Sequence, residues 1–273
     1  MKKLIYTAAT FLMIGQAFSQ QEPKEPQDTT RMKFGKVELL VIDHSAEDNE
    51  VVTDTIDASP DKEEVEKFEP HWAGFDLGVN VLLNDQYGTN FSNNPYWEND
   101  PANSFNFGLN LLEHKFSIYK NYVGLTTGLG FNFTQVGFKN NYVLMSTQDS
   151  VYGVVDTVYN YTKNKLLATY VQVPLLLEFN TRNSNNHNFY LPTGIIGGVR
   201  LSSKINRAGN LDGKTFSQVT KGVYALNSFK LDATVRMGYE DWGVFATYAL
   251  IPLFESGKTV DVHPFTVGLT HNF

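Results

Sequence analysis

The chain has 273 residues, with 29 acidic and 22 basic side chains, a net charge of −7 and no cysteine. A net negative charge argues against nucleic-acid binding, which needs a basic surface. The lack of cysteine excludes a disulfide scaffold, a thiolate metal site, a cysteine nucleophile and a lipid-anchored lipoprotein.

The amino terminus has the pattern of an export signal. Lys2 and Lys3 precede an apolar run over residues 4–18, and small residues at Ala17 and Ser19 occupy the positions that a signal peptidase reads. We predict a signal peptide over residues 1–19, which makes Gln20 the first mature residue. The run is shorter than the ~20 residues that a spanning helix needs, and no comparable run follows it. We therefore expect no transmembrane helix in the mature protein.

Residues 20–71 are acidic, whereas the rest of the mature chain is balanced. The segment has 15 acidic and 6 basic residues, a net of −9, against 14 of each in residues 72–273. Such a composition buries too little apolar area to fold alone, so we predict a flexible periplasmic arm. Residues 33–43 interrupt it with a β-prone core. We expect this core either to form a short strand against the end of the domain that follows or to dock on a periplasmic protein by strand addition; it consists of Val37, Glu38, Leu39, Leu40, Val41 and Ile42.

From residue 72 onward, apolar and polar residues alternate with a period of two, which predicts β-strands. Eight strands of about 10 to 16 residues, the size of tilted membrane strands, are predicted over 72–83, 104–118, 122–138, 165–180, 188–203, 227–240, 242–253 and 263–273. One face of each strand carries mainly Phe, Leu and Val, and the other mainly Gly, Asn and Thr. Periodicity alone does not say which face points outward. Since eight strands enclose a narrow interior, the small and polar face fits it better, and we expect the apolar face outside.

The predicted connections are long over 84–103, 139–164 and 204–226, but short over 119–121 and at residue 241. Outer-membrane barrels have short periplasmic turns and longer external loops, so we expect both termini in the periplasm. Aromatic residues near the strand ends predict girdles at the two membrane interfaces. They are Trp72, Tyr119, Tyr122, Tyr239, Trp242 and Phe273 on the periplasmic side, and Tyr87, Trp97, Phe138, Tyr142, Tyr161 and Phe254 on the external side.

The last strand carries a second signal, because the chain ends on an aromatic residue that shares a face with other outward residues. This face consists of Phe265, Val267, Leu269, His271 and Phe273. This face resembles the assembly signal read by the outer-membrane barrel insertion machinery. The resemblance implies that this machinery, during insertion, and outer-membrane lipids are partners of the protein. The alternative is the terminal strand of an ordinary soluble sheet.

Several segments resemble the PorT-like outer-membrane β-barrel proteins of Gram-negative bacteria. They are YVQVPLLLEFN (170–180), GLTTGLGF (124–131), ATYALIPLF (246–254), HPFTVGLTHNF (263–273) and, before the barrel, DTTRMKFGK (28–36). The resemblance implies an outer-membrane location and a barrel shape. One branch of that family is implicated in protein secretion across the outer membrane, but the matching motifs are structural and imply no chemistry.

Charged residues on the predicted inward faces suggest how the lumen is filled. Buried charges must be paired, so we predict a salt-bridged network inside the barrel, with a gated path for ions or small solutes as the alternative. Its members are Asp76, Glu178, Arg200, Lys230, Asp232, Arg236 and Glu240.

The sequence offers little for catalysis. The six histidines are scattered, no barrel rim gathers a histidine with a serine and an acid, and no histidine pair has metal-ligand spacing. We therefore expect no enzyme activity, no metal site and no cofactor. The prediction is an all-β protein, an eight-stranded antiparallel up-and-down transmembrane β-barrel over residues 72–273, with a structural, adhesion or complex-forming role. The alternatives are a narrow gated channel and, if the apolar faces point inward, a soluble lipocalin-like binder.

Overall fold

The computed structural model describes residues 29–34, 37–42, 69–120, 122–181, 188–211 and 214–273. The chain forms two compact units, Met1–Lys62 and Glu63–Phe273. The predicted signal peptide and most of the predicted acidic arm lie outside the described residues. In the part of the chain that is described, no helix is long and apolar enough to cross a bilayer.

The first unit contains a β-hairpin. Strand β1 (Thr29–Phe34) pairs antiparallel with β2 (Val37–Ile42), in a register that runs from Thr29 opposite Ile42 to Phe34 opposite Val37. The β-prone core proposed for docking is thus a strand, and one of its edges is already paired with β1.

Among its described residues, the second unit has strands as its regular elements, apart from two single 3₁₀ turns at Pro95–Trp97 and Pro101–Asn103. The strands are β3 (Gly74–Leu83), β4 (Phe105–Tyr119), β5 (Val123–Gly137), β6 (Tyr142–Ser146), β7 (Val151–Val155), β8 (Asn160–Asn180), β9 (Phe189–Leu211), β10 (Lys214–Lys221), β11 (Phe229–Tyr239), β12 (Trp242–Ala249) and β13 (His263–Asn272).

Eight of these strands close into a ring. Each pairs antiparallel with its neighbours in the order β3, β4, β5, β8, β9, β11, β12, β13, and β13 returns to β3 with Asn272 opposite Gly74 and His263 opposite Leu83. Closure removes the free sheet edges that a bilayer would not tolerate. The predicted all-β, eight-stranded antiparallel barrel is confirmed.

The apolar faces point outward, which periodicity could not decide. On β3, Leu77 is 59% exposed, whereas Asp76 on the opposite face is 4% exposed and Asn80 is fully buried. On β13, Leu269 is exposed and Thr270 is buried. The soluble lipocalin-like alternative required the apolar faces to point inward, and in the structure they point outward.

The two ends of the barrel differ in their connections. At the turn end, β4 joins β5, β8 joins β9 and β11 joins β12 through short segments, and β13 finishes there. At the loop end, β8 begins five residues earlier than predicted and β9 ends eight residues later. We call β10 with residues 160–167 and 204–211 the projecting sheet, since β10 pairs with β9 above the ring. The sequence predicted long connections for most of the projecting sheet, because these segments lack a regular apolar face.

A β-bulge in β4 changes which residues face inward. The register with β5 shifts between Asn110 and Leu112, so that Leu111 and Leu112 are both exposed. The predicted alternation holds up to this point and then inverts, which turns Glu113 toward the interior. Bulges reorient side chains in this way.

The loop end has an apolar core of its own, which corrects two predicted girdle residues. Trp97 is fully buried, and its ring lies 4.3 Å from that of Phe254, which is also buried. Trp97 Nε1 donates to Thr259 Oγ1 at 2.8 Å. We call this assembly the cap; its buried core includes Leu82, Phe91, Trp97, Val136, Leu144, Val151, Leu166, Ile205, Leu226, Phe254 and Val262.

Candidate functional site: the filled lumen

Asp76 and Arg236 form an ion pair inside the barrel. Arg236 Nη1 donates to Asp76 Oδ1 at 3.0 Å, and Nη2 donates to Oδ2. Asn110 Nδ2 also donates to Asp76 Oδ2, at 3.0 Å. The arginine is only 2% exposed. Strand alternation places both side chains inward, from β3 and β11, and the two-pronged geometry suits a guanidinium with a carboxylate.

Lys230 and Asp232 form a second ion pair nearer the loop end. Lys230 Nζ lies 2.7 Å from Asp232 Oδ2 and donates to Asn132 Oδ1 at 3.3 Å. It also lies 5.2 Å from the ring centroid of Tyr170. Both members come from the inward face of β11, two residues apart, so this pair forms within one strand.

Glu178 is held by a segment that precedes the first barrel strand. Residues 69–73, which we call the lumen plug, enter the turn end of the barrel. His71 Nδ1 lies 2.5 Å from Glu178 Oε1, and Thr126 Oγ1 donates to Glu178 Oε2 at 2.8 Å. Asn180 Nδ2 donates to the carbonyl of Glu69 at 2.8 Å. The plug is thus hydrogen-bonded to two inward residues of β8, Glu178 and Asn180.

Trp72 completes the plug and corrects another girdle prediction. It is fully buried, and the guanidinium carbon of Arg236 lies 4.8 Å from its ring centroid. The main-chain N–H groups of Trp72 and Ala73 donate to Glu113 Oε2 at 3.1 and 2.8 Å. A side chain on Gly128 would meet the Trp72 ring at 2.7 Å, so this glycine makes room for the tryptophan.

Tyr190 fills the space beside the plug. Its ring stacks on His71, with centroids 3.9 Å apart, and its hydroxyl accepts a hydrogen bond from Asn272 Nδ2 at 2.7 Å. Gly238 permits this position, because a Cβ there would lie 2.1 Å from the Tyr190 hydroxyl. Sequence reasoning missed this packing, although inward glycines leave volume that other side chains must fill.

Two members of the predicted network do not join it. Glu240 lies exposed in the turn between β11 and β12, with a positive φ of 53°. Arg200 is half-buried at the loop end, where it donates to the carbonyls of Leu226 and Asn227 and to Ser203 Oγ. The remaining five, Asp76, Glu178, Lys230, Asp232 and Arg236, lie inside the barrel.

The residues of the predicted assembly signal line the outer face of β13. Val267 and Leu269 are exposed, and Phe265 and His271 are half-exposed. Phe273 is 68% exposed, and its ring meets that of Phe75 edge-on at 5.4 Å. His271 stacks on Trp242 at 4.5 Å.

The described histidines have structural partners. His71 contacts Glu178, His263 Nδ1 lies 2.8 Å from the carbonyl of Ala249, and His271 Nδ1 lies 3.2 Å from that of Asp241. His114 packs edge-on against Phe116. Across the described residues, no group of three or more histidine, aspartate or glutamate side chains could hold a metal ion.

A closed antiparallel ring with an apolar exterior and a filled polar interior defines a bilayer-spanning β-barrel. The model of the family described as outer membrane protein beta-barrel domain matches residues 59–256. The chain belongs to this family, and the protein is an outer-membrane protein. No curated protein matches the chain.

Proposed function

We propose that this protein is a closed, non-conducting barrel that anchors its cap and projecting sheet within a protein complex of the outer membrane. The observation that carries the closed, non-conducting lumen is the buried pair of Asp76 and Arg236. The guanidinium of this pair lies against the rings of Trp72 and Phe245. An eight-stranded barrel has an interior just wide enough for side chains. These two charged and two aromatic side chains fill much of the lumen cross-section at their level.

Obstructions at other levels support closure. The lumen plug lies at the turn end, and the cap covers the loop end with its apolar core. Two cavities between them hold only about 40 and 20 Å³. A gated channel, the alternative, would require the plug to leave and the Asp76–Arg236 pair to separate, which would expose two desolvated charges to a new environment.

Exposed valines outside the ring support a complex-forming role. Lipids account for the apolar exterior of the barrel strands, but not for exposed apolar residues on β7, β10 and the loops beside them. Exposed apolar residues beyond the lipid-facing wall favour an interaction site. These residues, the cap valines, are Val154, Val155, Val158, Val219 and Val223.

The remaining assignments follow from the sequence patterns. We propose cleavage of the signal peptide before Gln20, termini in the periplasm and insertion through recognition of the last strand. We also propose a place among the PorT-like proteins, with a role in secretion or envelope assembly and no enzymatic activity. The acidic arm would bind a periplasmic protein through β2.

Two measurements test the central proposal. The purified protein in planar bilayers should show no conductance steps; steady steps would overturn closure. Native gels of gently solubilised outer membranes should show the wild type in a larger complex and the V155S/V219S variant as a monomer. Val260→Ser, at an exposed valine of the β12–β13 loop, is the matched control. If the complex survives the double substitution, the proposal that the cap valines form its contact surface is wrong.

Crosslinking tests the arm. A photoreactive residue at Leu39 should yield an adduct with a separate periplasmic protein. An adduct confined to this chain would instead indicate that β2 packs against its own protein.

A further inference from the structure

The barrel wall is irregular where β12 ends. Tyr248 pairs with Phe265 of β13, whereas the next main-chain bond between these segments joins Leu253 N–H to the carbonyl of Val262. Four residues, 249–252, therefore stand opposite two. One of the four is Pro252 and one of the two is Pro264, and neither has a main-chain N–H to donate.

The other side of this bulge is irregular as well. Leu250 N–H and Ile251 N–H both donate to the same carbonyl of Leu231, at 2.8 and 3.4 Å. Two donors on one acceptor interrupt the regular ladder between β11 and β12, which resumes where Asn227 N–H donates to the carbonyl of Leu253 at 2.9 Å. The wall is thus irregularly paired on both sides of residues 250–252.

A cavity of about 40 Å³ lies at this place. Its lining includes Phe229 and Lys230, consecutive residues of β11 whose side chains point to opposite faces of the wall. Phe229 is 65% exposed on the outer face, and Lys230 is paired with Asp232 in the lumen. The lining thus includes a residue from each face of the wall, Lys230 in the lumen and Phe229 on the membrane side.

We propose that this wall cavity binds the head of an uncharged single-chain amphiphile from the membrane, with its chain along Phe229 and Ile251. The head must be small, a hydroxyl with a few carbons, because a single water already occupies about 10–15 Å³ on a comparable scale. Thr247 and Thr266 supply hydroxyl partners in the lining.

The head must be neutral because the charges in the lining already balance. Lys230 and Asp232 lie 2.7 Å apart, and adding a charged head would leave one charge buried without a partner. A long-chain alcohol or a monoacylglycerol has the required chemistry, whereas a fatty acid does not. The inference is independent of whether the lumen conducts.

Photolabelling tests this site. The full-length protein in phosphatidylcholine vesicles is irradiated with a long-chain alcohol that carries a diazirine beside its hydroxyl, and the adducts are mapped by mass spectrometry. We expect adducts concentrated on residues 229–232 and 247–253, and weaker labelling by the matching fatty acid. Adducts spread evenly over the outer face of the barrel would overturn the proposal.

Ala249 provides the decisive variant, because its buried side chain lies opposite Asp232 and lines the cavity. Ala249→Leu should fill the cavity and reduce labelling about tenfold, equivalent to ~1.4 kcal/mol. Ala233→Leu is the matched control, since Ala233 pairs with Tyr248 on the outer face. If A249L fails to form an SDS-resistant barrel, Thr247→Val removes a lining hydroxyl at nearly constant volume. Labelling unchanged in the variant that folds would refute the site.

Discussion

Trp72 lies against Arg236 inside the lumen, with the guanidinium carbon 4.8 Å from the indole centroid. The tryptophan comes from the segment before the first barrel strand, and the arginine comes from β11. The contact therefore joins the lumen plug to the buried pair of Arg236 with Asp76. Phe245 flanks the same guanidinium at 5.4 Å, so the charge is enclosed by a carboxylate and two aromatic faces.

Replacing Arg236 by alanine should destabilise the barrel strongly. The substitution leaves Asp76 buried without its counter-charge, which typically costs about 3–5 kcal/mol. We expect the gel-shift transition, from the compact unboiled form to the unfolded form, to occur at a lower temperature. Conductance should be measured in parallel, because a vacated pair opens space in the lumen.

The matched control removes both charges. In D76A/R236A no unpaired charge remains, so part of the lost stability should return, leaving mainly the cost of the cavity. If the double variant is as unstable as R236A alone, packing against Trp72 and Phe245, and not charge pairing, is what Arg236 contributes.

Much of the barrel could be read from alternation alone. Five of the eight predicted ring strands match the structure to within two residues at each end, because one apolar face per strand is what lipid contact demands. The two strands that extend into the projecting sheet deviated, since residues 160–164 and 204–211 lie above the ring and show no regular alternation. β12 ended early because residues 250–252 form a bulge.

The lumen was less predictable, because its packing depends on contacts between distant segments. Asp76 and Arg236 were expected to face inward, but their pairing is set by the ring geometry. Trp72 was placed in the girdle because aromatic residues at strand ends usually lie there. Glu113 was missed because a single bulge at Leu111 inverts the alternation of β4.

Tryptophan fluorescence should separate lumen, cap and membrane positions. Trp72 and Trp97 are fully buried, whereas Trp242 is 62% exposed on the outer face at the turn end. In vesicles of brominated phosphatidylcholine, the variant that retains only Trp242 should be strongly quenched. The variants that retain only Trp72 or only Trp97 should not. Equal quenching of Trp72 would place it among the lipids and contradict the lumen plug.

Asp156 should titrate below the ordinary aspartate range. The main-chain N–H of Tyr159, the hydroxyl of Tyr161 and the N–H of Val158 donate to its carboxylate, which lowers its pKa. A lowered pKa means that these bonds contribute fully above the ordinary value of 3.8 and are lost as the pH falls through the lower, folded-state value.

NMR of the Asp156 carboxyl carbon in detergent micelles measures this titration. Tyr161→Phe should raise the midpoint, since it removes one donor to the carboxylate. Tyr152→Phe, on β7, should leave it unchanged. A wild-type midpoint at or above the ordinary value would show that the turn from Asp156 to Tyr161 does not hold the carboxylate.

Deleting Phe273 should impair assembly while leaving the folded barrel nearly as stable. Phe273 is 68% exposed, and its contacts are an edge-on approach to Phe75 and a bond from its N–H to the carbonyl of Ala73 at 3.2 Å. Losing an exposed side chain of this kind usually changes stability by less than about 0.5 kcal/mol. Cells should therefore hold the variant in the periplasm, with little heat-modifiable protein in the outer membrane, whereas Phe273→Tyr should insert normally.

Refolding of the purified protein into detergent separates recognition by the insertion machinery from stability of the barrel. Equal refolding of the deletion variant and the wild type would assign the cellular defect to the insertion machinery, and equal insertion in cells would remove the terminal aromatic as a signal.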